Sequence, residues 1–185
     1  QVDIVDRGVG MSPEFVREFW ELKHGMITGA DLGTIALGQM ANEDRAVAKA
    51  RRLVFHDTDL ITCTLWDDVL FPGECPPWVR EEAERRAKEV TLWLLCDTDL
   101  PFEPDPQRSF PDQAGREMGR RLWREALEKR GRPFVEVRGQ AEARTRAAID
   151  REAEHDWELP ADALARVRVA REGRERELGA ALERA

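Results

Sequence analysis

The sequence predicts an α/β fold in which a parallel sheet is flanked by helices. Three short apolar runs, at residues 53–56, 90–95 and 133–137, have the composition of buried strands. Strands of a parallel sheet are covered on both faces and therefore appear as continuous apolar runs. Segments with helical spacing of apolar residues separate the three runs, and this alternation favours right-handed crossovers between parallel neighbours.

Local signals divide the amino-terminal part into short elements before the first of these strands. Ser12 and Pro13 have the residue types preferred at a helix N-cap and first helical position. The predicted elements are a strand at 2–5, a turn at Gly8 and Gly10, a helix from Ser12 to about Leu22, a loop at 25–33 and a second helix up to Arg51.

The remainder of the chain continues the alternation and ends in a helical extension. A proline-rich segment at 100–113 has the length of a functional loop, a lid or binding loop, or else of a disordered segment. The predicted helices are 60–70, 78–88, 113–130 (ended by Gly131), 141–154 and an amphipathic helix in the carboxyl-terminal region. We therefore predict an α/β domain over residues 1–154 and a C-terminal amphipathic helix over 155–185.

Composition excludes several classes of protein. At 185 residues and 42% hydrophobic, the chain suits one domain with a full core. A net charge of −8 argues against a nucleic-acid or membrane-surface partner, which would need a basic face. No apolar run reaches the ~20 residues of a membrane span, so a cytoplasmic location is expected. The three cysteines lack metal-ligand spacing and are expected to be buried free thiols.

The strand predicted at 53–56 runs directly into paired carboxylates. Asp57 and Asp59 follow the apolar run at 53–56, and Asp97 and Asp99 follow the next one. Ligands of open α/β sheets gather at the carboxyl ends of strands, which predicts a crevice where acids hold Mg²⁺. An Asp N-cap of the following helix is the alternative interpretation, since Asp and Thr are both good caps.

Several segments resemble, in order and spacing, the P-loop kinase domain of NadR-type ribosylnicotinamide kinases. They resemble more loosely the wider P-loop nucleoside and nucleotide kinases of the AAA-like NTPase superfamily. The resemblance covers roughly residues 13–150. The matching pieces are Glu-Phe-Val-Arg-Glu at 14–18, Ala-Leu-Gly-Gln at 36–39, Asp-Thr-Asp-Leu-Ile-Thr at 57–62, Leu-Leu-Cys-Asp at 94–97, and Asp-Pro-Gln-Arg at 105–108 with Arg116.

The resemblance implies a P-loop NTPase-like three-layer sandwich that transfers phosphate from ATP, with Mg²⁺, to a small nucleoside-like substrate. In this reading Asp57 lies at the metal and Asp59 near the acceptor hydroxyl, and either one is the base. The other implied site residues are Arg108 and Arg116 over the phosphates, and Glu14, Arg17 and Asp105 at the substrate, with Trp20 considered for stacking on a base. The alternatives are an exposed i,i+3 ion pair for Glu14 and Arg17, a solvated Arg116, and a packing role for Trp20.

The sequence departs from this family at the P-loop. A P-loop needs G-x-x-x-x-G-K-[ST], yet none of the four lysines follows a glycine and precedes Ser or Thr. We therefore expect that the first strand, P-loop and first helix are missing or altered, and that this chain turns over little ATP. A non-catalytic regulatory or binding module on the same fold and an AAA-type nucleotide hydrolase remain alternatives, and self-association through the carboxyl-terminal helix is expected as an option for either.

Overall fold

The computed structural model describes residues 9–51, 53–102 and 104–139. All of them belong to the first of two compact units, which spans residues 1–144. The predicted strand at 2–5, the helix at 141–154 and the C-terminal helix at 155–185 lie outside the described residues. The predicted domain boundary and the association through that helix therefore stay predictions.

The described residues alternate between short strands and helices. None of the described helices is both long and apolar enough to cross a lipid bilayer. The elements in chain order are β1 (Val9–Ser12), α1 (Phe15–Leu22), a 3₁₀ turn (Gly29–Asp31), α2 (Leu32–Lys49), β2 (Leu53–His56), α3 (Leu60–Leu70), α4 (Pro77–Ala87), β3 (Trp93–Cys96), α5 (Gln113–Lys129) and β4 (Phe134–Val137).

The strands pair in parallel, which confirms the predicted fold class. β1 pairs with β2, and β3 pairs with β4. In the described part of the chain these pairs form two separate two-stranded sheets instead of the one sheet that the sequence predicted. Helices join the strands of each pair, as parallel neighbours require, because a tight hairpin can join only antiparallel strands.

β1 was not predicted, because Gly10 was interpreted as a turn residue. A Cβ at position 10 would lie 2.9 Å from the carbonyl oxygen of Ala46 and 3.0 Å from the Cβ of Ala50. Glycine is therefore needed here because the strand runs against α2. Ser12 ends this strand and is completely buried, so it does not cap α1 as predicted. The helix begins at Phe15 instead.

Gly10→Ala should destabilise the fold by about 1–3 kcal/mol, because the added methyl group overpacks a contact made with backbone. Gly119→Ala is the matched control, since a Cβ there meets nothing within 4 Å in the middle of α5. That control should stabilise by about 0.5–1 kcal/mol through helix propensity. Urea denaturation of both variants measures the two effects, and equal stabilities would contradict the close approach of β1 to α2.

The apolar core formed by the described residues consists of two clusters that α3 connects. Leu60 and Cys63 of α3 belong to the first cluster, and Ile61 belongs to the second. Cys63 and Cys75 are buried free thiols as expected, whereas Cys96 is exposed. Burial raises the pKa of Cys63 to about 12, so this thiol stays protonated and inert. The first cluster also contains Leu32, Ile35, Ala36, Cys75, Val79 and Ala83, and the second contains Ala87, Ala126 and Leu127.

A buried ionic network joins α2 to α4. The guanidinium of Arg86 lies 2.8 Å from Glu43, 3.0 Å from Asp44 and 2.9 Å from Glu82. Both Arg86 and Glu43 are buried. Burial raises the pKa of Glu43 to about 7, although Arg86 acts in the opposite direction. The network therefore contains a carboxyl group that changes its charge near neutral pH.

Glu43 should make the stability fall as pH rises between about 4.5 and 7. Its folded-state pKa lies above the ordinary value of 4.5, so its contribution is fully present below pH 4.5 and is lost as pH passes 7. The loss is at most about 3.5 kcal/mol, at about 1.4 kcal/mol per pKa unit. Glu43→Gln should flatten this fall in urea denaturation curves recorded from pH 5 to 8.

Glu82→Gln is the control of opposite sign. Hydrogen bonds from Arg85 lower the pKa of Glu82, so its contribution is present above its ordinary pKa and is lost as pH falls. This variant should therefore leave the fall between pH 5 and 8 in place. Parallel stability curves for the wild type and Glu43→Gln would contradict the assignment to Glu43.

Candidate functional site

The candidate site begins where β1 and β2 end. The amide of Asp57 donates to the carbonyl of Ser12 at 2.8 Å, which extends the parallel pairing by one step. α1 starts just beyond Ser12, so Glu14 and Asp57 both follow strands that end at the same edge of this sheet. Asp57 is exposed, and within the described residues no group donates a hydrogen bond to its carboxylate. It is therefore available to a ligand.

Glu14 lies half-buried between a cation and this carboxylate. Its Oε2 accepts from the Nε of Arg17 at 2.9 Å. Burial raises the pKa of Glu14; Arg17 opposes the shift, and Asp57 adds to it. The charge of Asp57 therefore acts on the carboxyl group of Glu14.

The loop between β3 and α5 docks on α1 through Arg17. The guanidinium of Arg17 donates to Asp105 at 3.1 Å and to the Oε1 of Gln107 at 3.4 Å. Gln107 also donates to Glu21 at 2.9 Å. Arg17 therefore does more than form an exposed i,i+3 ion pair with Glu14. It also binds a loop that is distant in sequence and holds it against α1.

Arg108 completes this group of side chains. It is exposed, its Nε lies 3.5 Å from Asp105, and its charge acts to lower the pKa of Glu14. The structure therefore brings together five of the eight site residues that the sequence predicted. They are Glu14, Arg17, Asp57, Asp105 and Arg108.

Asp59, which was expected beside the acceptor hydroxyl, bonds to protein groups outside this group. Its Oδ1 accepts from the amide of Ile61 at 2.8 Å and caps α3. Its Oδ2 accepts from the indole Nε1 of Trp93 at 2.9 Å. Burial raises the pKa of Asp59 despite these donors. The alternative interpretation, a helix cap, describes these contacts.

Arg116 and Trp20 also have contacts that differ from those expected. Arg116 donates to the carbonyls of Thr98 at 3.1 Å and Leu100 at 2.9 Å, so it braces the start of the loop. The indole of Trp20 packs on Gly25, where a Cβ would lie 3.0 Å from the ring. Gly25 has a φ of +80°, and the indole covers this turn after α1. These contacts match the alternative interpretation of Trp20, a packing role.

Sequence reasoning missed Gln39 and Gln107. Gln39 is 2% exposed on α2 and bonds both to α1 and to the turn after β2. It lies in the segment 36–39 that carried the family resemblance, which was the available signal, but no role followed from residue type alone. Gln107 lies in the matching piece at 105–108, where only Asp105 and Arg108 were predicted to be site residues.

A second polar cluster lies at the carboxyl end of β3 and β4. A cavity of about 590 Å³ there is lined by acids and guanidinium groups, Asp97 and Arg120 among them. Arg120 lies 3.3 Å from Asp97 and 3.2 Å from Glu136, and Arg138 lies 2.9 Å from Asp97. Because the guanidinium groups are paired with acids, this cavity is not an anion site of concentrated positive charge.

The side chains at the first site suit Mg²⁺ only in combination with phosphate. Within the described ranges, no group of three or more His, Cys, Asp or Glu side chains is placed to hold a metal ion. Mg²⁺ keeps several waters and is commonly bound by one or two carboxylates plus substrate phosphates. Asp57 has the exposure and chemistry for that role.

Comparison with known protein families gives a match over most of the chain. A family model described as an AAA domain matches residues 4–144. The chain belongs to this AAA domain family. This membership confirms the P-loop NTPase-like superfamily that the resemblance indicated, whose activities are nucleotide binding, hydrolysis and kinase-like transfer.

Asp59→Ala in this AAA domain should lower stability by about 2–3 kcal/mol, because it removes the cap of α3 and leaves the Trp93 indole without its acceptor. Asp112→Ala is the matched control. Asp112 caps α5 by accepting from Gly115 at 2.8 Å, but it is exposed and its side chain makes only this bond among the described contacts. The control should lose about 1 kcal/mol.

Thermal and urea unfolding of the two variants measure the difference. If Asp59→Ala is no less stable than Asp112→Ala, the carboxylate of Asp59 is not a structural acceptor, and its expected place beside a substrate regains support.

Proposed function

We propose that this AAA domain is an ATP-dependent phosphotransferase that acts on a small nucleoside-like substrate, of the ribosylnicotinamide kinase type. One observation carries the proposal. The loop after β3 is fastened by Arg17 onto α1 beside Glu14, whose pKa the charge of the exposed Asp57 helps to raise. Such a covering loop beside a metal-binding carboxylate suits a reaction that must enclose a second small molecule and exclude water.

The side chains of this group divide the work of phosphoryl transfer. Phosphoryl transfer asks the protein mainly for positioning and charge neutralisation. ATP with Mg²⁺ supplies the phosphoryl group, and Asp57 is the carboxylate suited to the metal and to orienting the acceptor hydroxyl. Glu14 and Arg17, one helical turn apart, suit the ribose hydroxyls, with Asp105 closing the site from the loop.

Arg108 is the side chain suited to the transferred phosphate. It is exposed and only loosely paired with Asp105, at 3.5 Å, so its guanidinium can turn to a ligand. A planar guanidinium contacts phosphate oxygens in a bidentate manner. Arg116 is not given this role, because backbone carbonyls occupy it.

The charge of the site favours a particular class of acceptor. Three carboxylates, Glu14, Asp57 and Asp105, face two guanidinium groups, Arg17 and Arg108. This excess of acid favours an acceptor that donates hydrogen bonds or carries positive charge, and disfavours an anion. Ribosylnicotinamide has both properties, because its pyridinium ring is cationic and its ribose carries hydroxyl donors.

An AAA-type hydrolase and a non-catalytic binding module are the competing functions. A hydrolase activates water and needs no acceptor site, so the fastened loop favours transfer over hydrolysis. Because the sequence contains no G-x-x-x-x-G-K-[ST], the acceptor is a better probe of this chain than ATP.

Arg17→Ala should weaken binding of ribosylnicotinamide about tenfold or more, because it removes a substrate contact and releases the loop. Arg85→Ala is the matched control. Arg85 pairs with Glu82 at 2.6 Å in the same Glu-x-x-Arg spacing, but on the surface of α4. Isothermal titration calorimetry of residues 1–185 should show wild-type affinity for this control.

Adenosine and uridine serve as neutral nucleosides in the same titrations and should bind more weakly than the cationic one. The absence of binding of all three nucleosides to the wild type would contradict the proposal. So would equal affinities of Arg17→Ala and Arg85→Ala.

A further inference from the structure

The start of α1 is held in place from outside the helix. Glu14 occupies the N-cap position but makes no side-chain cap bond, so the first amides of α1 lack the usual local acceptor. The amide of Phe15 instead donates to the Oε1 of Gln39 at 3.0 Å. A side chain of α2 thus takes the place of the missing cap.

The other end of the Gln39 amide reaches the turn that presents Asp57. Its Nε2 donates to the carbonyl of Thr58 at 3.3 Å. Thr58 has a φ of +68°, in the left-handed region that residues other than glycine rarely adopt. Such a conformation persists only when surrounding contacts determine it. Its hydroxyl also bonds to that of Thr62 in the first turn of α3.

A second side chain of α2 holds the residue on the other side of Glu14. The Nδ2 of Asn42 donates to the carbonyl of Pro13 at 3.1 Å. Asn42 lies one turn along α2 from Gln39 and is 8% exposed. Glu14 is therefore flanked by two tethered peptide groups, one fixed by Asn42 and one by Gln39.

Packing supports the same arrangement. The ring of Phe15 lies directly on Gly38, and a Cβ at position 38 would overlap that ring. The neighbouring residues Gly38 and Gln39 thus receive the side chain and the amide of one residue of α1.

We infer that Gln39 is a positioning residue, which fixes Glu14 and Arg17 of α1 relative to Asp57 by bonding at once to Phe15 and to Thr58. Gln39 touches no proposed substrate atom, so it acts through the residues it places. The structural part of the inference holds for any ligand, and only its effect on acceptor binding rests on the proposed function.

Gln39→Met tests this role, because methionine keeps the length of the side chain but forms neither bond. Nuclear magnetic resonance titration of the Glu14 carboxyl reports the position of α1. If α1 moves away from Asp57 and into solvent, the pKa of Glu14 should fall towards its ordinary value. Affinity for ribosylnicotinamide should fall about five- to tenfold in the same variant, with the loss of aligned contacts.

Val79→Ala is the control for a general loss of stability. Val79 is fully buried in the first core cluster on α4, and its truncation destabilises the core without removing a tether of α1. This control should unfold at lower urea concentration but keep the wild-type pKa of Glu14 and the wild-type affinity. Loss of stability in Gln39→Met with an unchanged Glu14 pKa would overturn the inference.

Two further results are decisive. If Gln39→Met does not fold, Gln39→Ala replaces it, because alanine also removes both bonds of Gln39 and adds no apolar side chain in their place. An unchanged Glu14 pKa in that variant overturns the inference. If the wild type binds no nucleoside, the proposed function fails, while the Glu14 titration still decides whether Gln39 positions α1.

Discussion

The arrangement of this domain depends on hydrogen bonds made by one buried polar face of α2. Gln39, Asn42 and Glu43 are 2%, 8% and 5% exposed. A buried polar group costs several kcal/mol unless it is bonded, so Gln39 and Asn42 strongly favour the arrangement that satisfies them, and Glu43 favours the one that pairs it with Arg86. Their partners lie on α1, on the turn after β2 and on α4. α2 is therefore the helix against which the neighbouring elements are placed.

Aspartates on and beside α3 show how hydrogen-bond donors decide between structural and ligand-binding roles. Asp67 is 1% exposed and accepts from the amides of Glu74 and Cys75, both at 2.8 Å, and from Arg80. Burial alone would raise its pKa, but these donors lower it, so the carboxylate stays charged and closes the turn between α3 and α4. The carboxylate of Asp59 likewise accepts hydrogen bonds from protein donors, whereas none of the described donors bonds to the carboxylate of Asp57. Of these three aspartates, Asp57 is the one that is exposed and accepts no described hydrogen bond, so its carboxylate has acceptor capacity for a metal or a hydroxyl group.

Local signals predicted the helices, because caps and breakers act within a few residues. α3 was predicted as it is observed, and α5 ends before Gly131, whose φ of +58° suits the position after a helix. β1 was missed, because the reason for Gly10 is contact with a helix some 36 residues away, as the position of Ala46 shows. No local pattern contains that contact.

The candidate site was predicted in its membership better than in its roles. Asp57 and Asp59 are two residues apart and of one type, so the sequence offered both for the same chemistry. The left-handed turn at Thr58 lies between them, and it leaves one carboxylate exposed while the other reaches back to cap α3. Arg108 and Arg116 were likewise equivalent in sequence. Their contacts differ in the structure, because the carbonyls of Thr98 and Leu100 at the start of the loop accept hydrogen bonds from Arg116.

The loop between β3 and α5 is held unequally along its length. Near its start Arg116 bonds two backbone carbonyls and lies 5.5 Å from the ring of Phe102. Its far part is held by Arg17, whose side chain is 43% exposed, and ion pairs at such exposure contribute only about 0–1 kcal/mol. Substrate-covering segments come from the least stable parts of a structure, because they must open and close. This requirement favours a loop whose start is held firmly and whose far part is held weakly.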